Sequence, residues 1–120
     1  MKPDSVNVLG KTYTIRYVTD SYKVGPDSYE LLWGYIDHMA REISIYDNEN
    51  LEDIFETLLH ELMHGIGAIL GIPALDGGTE ESESLVNLLA ISISDLLIRN
   101  NWISLEENPI KEEEEPSDAC

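Results

Sequence analysis

The first half of the chain is patterned for β-strands. Residues 12–18 are rich in β-branched and aromatic side chains, and Gly10 lies where a turn would join them to the preceding apolar residues. Further on, Ile43 and Ile45 alternate with polar neighbours, which is the period-two pattern of a half-buried strand. We therefore predict two hairpins, one over residues 6–18 and one with arms at 31–37 and 41–46.

The second half has the longer apolar period of α-helices. Residues 47–50 offer N-cap side chains before a helix predicted at 51–70, which Gly71 ends. A second helix is predicted at 80–100, because its leading acidic residues suit a helix N-terminus. Strands followed by helices predict an α+β fold, in which a small antiparallel-rich sheet packs on two long helices.

The length and the charge suggest one domain and an acidic tail. A chain of 120 residues has room for one core, which we place at residues 1–105. The formal net charge is −17, and residues 106–120 alone carry seven acids and one base. That segment has too few apolar side chains to offset its ordering entropy, so we expect a disordered acidic tail. The tail either keeps the protein in solution or docks on a basic host protein.

Composition also excludes several classes of partner. A net charge of −17 without a basic stripe argues against nucleic acid. No run approaches the roughly 18 apolar residues that a membrane span needs. The first residues lack the apolar stretch of a secretory signal, so we expect a cytoplasmic protein, in the host cell if a phage encodes it. Cys120 is the single cysteine, which leaves no Cys-based metal cluster.

The first predicted helix carries a pair of histidines suited to a metal ion. At about 100° per residue, His60 and His64 lie about 40° apart, so their imidazoles leave one face one turn apart. Glu61 lies about 100° from His60, beside the pair, where it can reach a bound water but not complete the same tripod. Zn²⁺ accepts neutral imidazole and, in catalytic sites, takes three protein ligands and one water.

The third ligand must come from elsewhere, and the second helix offers it. Glu83 is in line with residues that should face the first helix, so we predict it as the ligand, with Glu80 in reserve. Glu81 points away from that face, and His38 is placed in a surface turn. Asn87, one turn after Glu83, could orient a ligand by hydrogen bonding.

These motifs resemble a known family. His60-Glu-x-x-His64, with Glu83 nineteen residues later on another helix, resembles the zincin metallopeptidases of the Glu-ligand type. Residues 83–87 are similar to that family's Glu-x-x-x-Asp segment, with Asn in place of Asp. Small predicted metallopeptidases of phage-type genomes share the layout of hairpin, second strand pair, Leu-His-Glu-Leu-x-His and Glu-x-x-Val-x-x-Leu-Ala. The metzincin branch is disfavoured, because its third His would stand at position 70, which is Leu.

The resemblance implies a zinc-dependent peptidase acting on a peptide or protein substrate. Zn²⁺ would lower the pKa of its water, and Glu61 would act as the general base. We also expect residues 43–46 to form a sheet edge with which an extended peptide pairs. Tyr35, Tyr46 and His38 are all candidates for stabilising the oxyanion. The alternative is a non-catalytic zincin-fold acidic protein that binds a host factor. The sequence does not determine the oligomeric state.

Overall fold

A computed structural model describes residues 2–27 and 30–105 of the protein. The expected acidic tail, residues 106–120, lies outside the described residues. Four strands precede two long helices, and one 3-10 turn, Ser21–Lys23, follows the second strand. The elements are β1 (Ser5–Val8), β2 (Lys11–Val18), β3 (Gly34–Asp37), β4 (Glu42–Tyr46), α1 (Leu51–Leu70) and α2 (Glu80–Arg99). The α+β class and the order of the elements are confirmed.

The four strands form one mixed sheet in the order β1-β2-β4-β3. Both predicted hairpins are present, because β1 pairs with β2 and β3 pairs with β4, each antiparallel. The hairpins join through a parallel pairing of β2 with β4, in which Ile15 lies opposite Ile43. The expectation that residues 43–46 form a sheet edge is therefore wrong. Strand β4 is central, and β3 is the edge on that side of the sheet.

The core lies between the sheet and α1. Ile43 and Ile45 of β4 are fully buried, and Tyr13 of β2 is 2% exposed. Ile54 and Leu58, one turn apart on α1, complete the same apolar cluster. The central position of β4 explains why its two isoleucines are so thoroughly covered, since neighbouring strands and a helix surround it.

Capping residues set the ends of both helices. The Asn50 side chain accepts a hydrogen bond from the Asp53 amide at 3.1 Å, and Gly71 ends α1 with a left-handed φ of 68°. Thr79 caps α2 in the same way, accepting from the Ser82 amide at 3.1 Å. Within residues 2–27 and 30–105, neither helix combines the length and the apolar character that crossing a bilayer requires.

Helix α1 lies between the sheet and α2, since it contacts β1, β3 and β4 as well as α2. The inner face of α2 consists of small residues four apart, and the buried members are Ser82, Val86, Ala90 and Ser94. Small side chains on that face let the two helix axes approach closely. As a result, side chains near the start of α2 can reach the histidine face of α1.

Candidate metal centre

Three side chains from the two helices meet at one point. Nε2 of His60 lies 2.9 Å from Oε1 of Glu83, and Nε2 of His64 lies 3.1 Å from the same oxygen. The two Nε2 atoms are 3.1 Å apart. This is the one group of three or more His, Cys, Asp or Glu side chains in the described ranges whose donor atoms all lie within 4.8 Å of one another. The structure thus brings together His60, His64 and Glu83, the three residues predicted as metal ligands.

The protonation of His64 follows from its second ring nitrogen. Nδ1 of His64 lies 2.8 Å from the carbonyl oxygen of Leu75, and a carbonyl can only accept, so Nδ1 carries the proton. In the neutral ring, Nε2 then presents a lone pair to the Glu83 oxygen, which also has only lone pairs. Two acceptors 3.1 Å apart repel each other unless a proton or a metal cation lies between them. A proton or a cation at this point would stabilise the cluster.

The loop between the helices holds His64 in this orientation. A Cβ on Gly67 would lie 2.7 Å from the Leu75 carbonyl carbon, so the missing side chain lets the loop cross α1 closely. Gly77, with a φ of 85°, packs on the imidazole, because a Cβ there would lie 3.0 Å from Cε1 of His64. Ser82 Oγ accepts a hydrogen bond from the Gly77 amide at 2.8 Å. A side chain at Gly67 or Gly77 would collide with the loop or with the ring, and the hydrogen bond of Gly77 to Ser82 joins the first turn of α2 to the loop that packs on His64.

The three donor atoms suit zinc. Ligand atoms at 2.0–2.1 Å from a tetrahedral Zn²⁺ are separated by about 3.3 Å, close to the separations found among these three atoms. The donors are two imidazoles and one carboxylate, which are types that zinc sites use. The hydrogen bond from the second ring nitrogen of His64 to a backbone carbonyl is also a common support for a zinc ligand. The residues present therefore fit the ion.

Glu61 is buried beside the three ligands. The residue is 7% exposed, and its carboxylate accepts no hydrogen bond from any residue in the described ranges. The pKa of Glu61 is raised to about 7, mainly by burial; the charge of His64 acts to lower it and the charge of Glu83 acts to raise it. Gly34 of the edge strand makes room for this carboxylate, because a Cβ there would lie 2.9 Å from Oε2. A carboxyl group with a pKa near neutrality is suited to accept and return a proton.

The site opens into a cleft of about 480 Å³. The edge strand and the residues just before it form one wall, and α1 and α2 form the other. The lining residues are Leu32, Trp33, Gly34, Asp53, Glu56, Thr57, His60, Glu61, Glu83 and Asn87. The ring of Trp33 is held edge-on against Tyr46, with centroids 5.8 Å apart.

Most of the other residues that the sequence suggested for the site lie away from it. Glu80 and Glu81 are exposed and outside the group of three, and His38 lies in the exposed turn between β3 and β4. Neither Tyr35 nor Tyr46 lines the cleft, whereas Asn87 does. Three residues that the sequence pattern does not indicate also belong to the site: Gly34, Leu75 and Gly77. The glycine-rich composition of residues 71–79 was a signal for a tight loop, but it did not indicate what the loop would contact.

Comparison of the chain with protein-family models, curated proteins and solved structures finds no match.

Proposed function

We propose that the protein is a zinc-dependent metallopeptidase. The observation that supports this most strongly is the meeting of the His60, His64 and Glu83 donor atoms beside the buried carboxylate of Glu61. Zinc, when bound, supplies Lewis acidity and a water molecule of lowered pKa. In this proposal the three residues hold the ion, and His64 is kept in the ligand tautomer by Leu75.

Glu61 moves the proton. Its carboxylate takes a proton from the attacking water, which becomes the nucleophile at a peptide carbonyl, and the same group then protonates the leaving amine. Burial raises the pKa of this carboxyl group in the metal-free protein, and a bound cation would lower it again, which favours the ionised form that accepts the proton. Asn87, in the cleft, is the candidate for donating a hydrogen bond to the carbonyl oxygen.

Strand β3 is the candidate for holding the substrate backbone. It is an edge strand, and Gly34 at its start lines the cleft next to Glu61. An extended peptide that pairs with β3 would pass along the mouth of the cleft, where alternate side chains can enter it. This replaces β4, which is central and has no free edge.

A second candidate is a non-catalytic, metal-holding protein that binds a basic host factor. One observation favours it: no Tyr, Lys or Arg lines the cleft in the described ranges, so strong donors to an oxyanion are few. The high negative charge would draw a basic partner by long-range attraction. The two candidates agree on zinc and differ on turnover.

Zinc content and peptide cleavage test the proposal separately. Purified protein should hold about one zinc by mass spectrometry, and His60→Ala should lose it, whereas His38→Ala, the control at an exposed histidine, should keep it. Glu61→Gln should lower cleavage of a peptide library by roughly 100-fold or more, with zinc retained. Equal zinc in wild type and His60→Ala would refute the metal site, and equal cleavage by wild type and Glu61→Gln would refute the enzyme.

We also propose a cytoplasmic location, in the host cell if the gene is a phage gene. A single cysteine permits no intramolecular disulfide, so the fold has no need of an oxidising compartment.

A further inference from the structure

The cleft wall carries more negative charge than a metal site needs. Four carboxylates, those of Asp53, Glu56, Glu61 and Glu83, line it, and no Lys or Arg does so in the described ranges. A divalent ion held by Glu83 would neutralise that carboxylate and favour the ionised form of Glu61. Asp53 and Glu56 would remain uncompensated in a half-buried groove, where charges are less screened than in open water.

The cleft also contains an unsatisfied buried acceptor. Glu61 is 93% buried, since 7% of it is exposed, and it faces the cleft without a hydrogen-bond donor in the described ranges. Glu56, five residues earlier in α1 and one turn before His60, likewise accepts no hydrogen bond from those residues. Asp53 receives one from Asn48 Nδ2 at 2.8 Å on Oδ2, which leaves its other oxygen available. Water or a bound molecule in the cleft can supply the missing donors.

The opposite wall is apolar. Leu32 is half-buried, and Trp33 is 56% exposed with its ring held edge-on by Tyr46. The groove thus has carboxylates on one side and aliphatic and aromatic surface on the other. It suits a side chain that has a long apolar stem and a cationic head. Lys and Arg are such side chains, and a cation beside the face of Trp33 gains further attraction.

Asp53 and Glu56 lie on α1 close to the place where a bound peptide would be cut. Glu56 precedes His60 by four residues, which is about 6 Å along the helix axis, and Asp53 lies about 4.5 Å further. Residues of an extended peptide are spaced about 3.3 Å apart. A side chain next to the bond being cut can therefore span the distance from the metal ligands to Glu56.

We propose that the cleft selects a substrate with a Lys or Arg side chain beside the scissile bond, bound by Glu56 and Asp53. This inference names the substrate class of the proposed peptidase, and it rests on that proposed function because only a peptidase has a scissile bond. A second divalent ion is disfavoured as the occupant, since Asp53 and Glu56 belong to no group of three donor residues within 4.8 Å in the described ranges. An organic cation needs only the two carboxylates.

Cleavage preference is the first test. A peptide library digested by the zinc-loaded wild type should be cut next to Lys or Arg, with kcat/KM about tenfold above matched norleucine peptides. Glu56→Gln should reduce that preference to about twofold or less, and Glu56→Lys should shift it towards Asp or Glu. The control Glu81→Gln removes one charge from the exposed face of α2 and should leave the preference intact. Cleavage that ignores basic residues would overturn the inference and leave the peptidase standing.

Binding without turnover is the second test, and it separates the two proposals. Glu61→Gln, loaded with zinc, is titrated by calorimetry with a Lys-containing hexapeptide and with its norleucine and Glu counterparts. The Lys peptide should bind about tenfold more tightly than norleucine, and adding Glu56→Gln should abolish the difference. If no variant cleaves but this difference is found, the peptidase fails and the cation subsite stands. Equal affinities, or a difference that Glu56→Gln leaves unchanged, would overturn the subsite. Competition by Ca²⁺ that displaces the Lys peptide stoichiometrically would assign the pair to a metal and likewise overturn it.

Discussion

The buried carboxylate of Glu61 is expected to make the metal-free protein less stable at neutral pH than at acidic pH. Its pKa is raised from 4.5 to about 7 in the folded protein, mainly by burial. Below the unfolded value the group is protonated in both states and costs nothing. Between 4.5 and about 7 the unfolded chain releases the proton while the folded protein keeps it, so the free energy of unfolding falls as pH rises.

The size of the effect follows from that pKa difference. A rise of the pKa from 4.5 to about 7 lowers the free energy of unfolding by about 3 kcal/mol at pH 8, at about 1.36 kcal/mol per pKa unit. Gln has nearly the shape of the protonated acid and does not ionise. Glu61→Gln should therefore raise the free energy of unfolding by about 3 kcal/mol at pH 8 and change it little at pH 4.5.

Urea unfolding followed by circular dichroism measures the difference between wild type and Glu61→Gln across this pH range, in the presence of a chelator. The control Glu81→Gln removes an exposed charge and should give a difference that is small at every pH. With zinc added, the benefit of Glu61→Gln should shrink, because a nearby cation favours the carboxylate. A difference that is flat with pH, or a variant less stable than wild type at pH 8, would refute the argument from burial.

Three further substitutions probe other parts of the structure. Gly34→Ala places a methyl group 2.9 Å from the Glu61 carboxylate, so cleavage should fall by roughly tenfold or more while zinc content measured by mass spectrometry stays at wild-type level. Gly77→Ala places a methyl group against the His64 ring and forces alanine to adopt a φ of 85°. Zinc affinity measured by chelator competition should therefore weaken by roughly tenfold, which is typical of changes to the residues that support a metal ligand. Unchanged affinity would show that the loop does not position the ring. Ile43→Ala empties a fully buried site in the central strand and should lower the free energy of unfolding by about 2–5 kcal/mol in urea, and a smaller loss would mean that the core closes over the gap.

The elements and the histidine pair were predictable because they depend on local geometry. A helix repeats every 3.6 residues whatever surrounds it, so His60 and His64 had to share a face once α1 formed. Asn50 sets the start of that helix through its side-chain cap, and Gly71 sets the end through its left-handed backbone conformation. The direction of Glu83 followed from the same arithmetic, applied to the apolar face of α2.

Tertiary structure alone decided which strand is the edge and how the site is held. Pairing of β2 with β4 joins segments almost thirty residues apart, and nothing in the local pattern of either strand distinguishes it from an antiparallel alternative. That pairing makes β4 central and leaves β3 at the edge, where Gly34 lies beside Glu61. The carbonyl of Leu75 fixes the tautomer of His64, and the pKa of Glu61 depends on burial by the whole fold. Such properties come from contacts between distant segments, and periodicity along the chain carries no information about them.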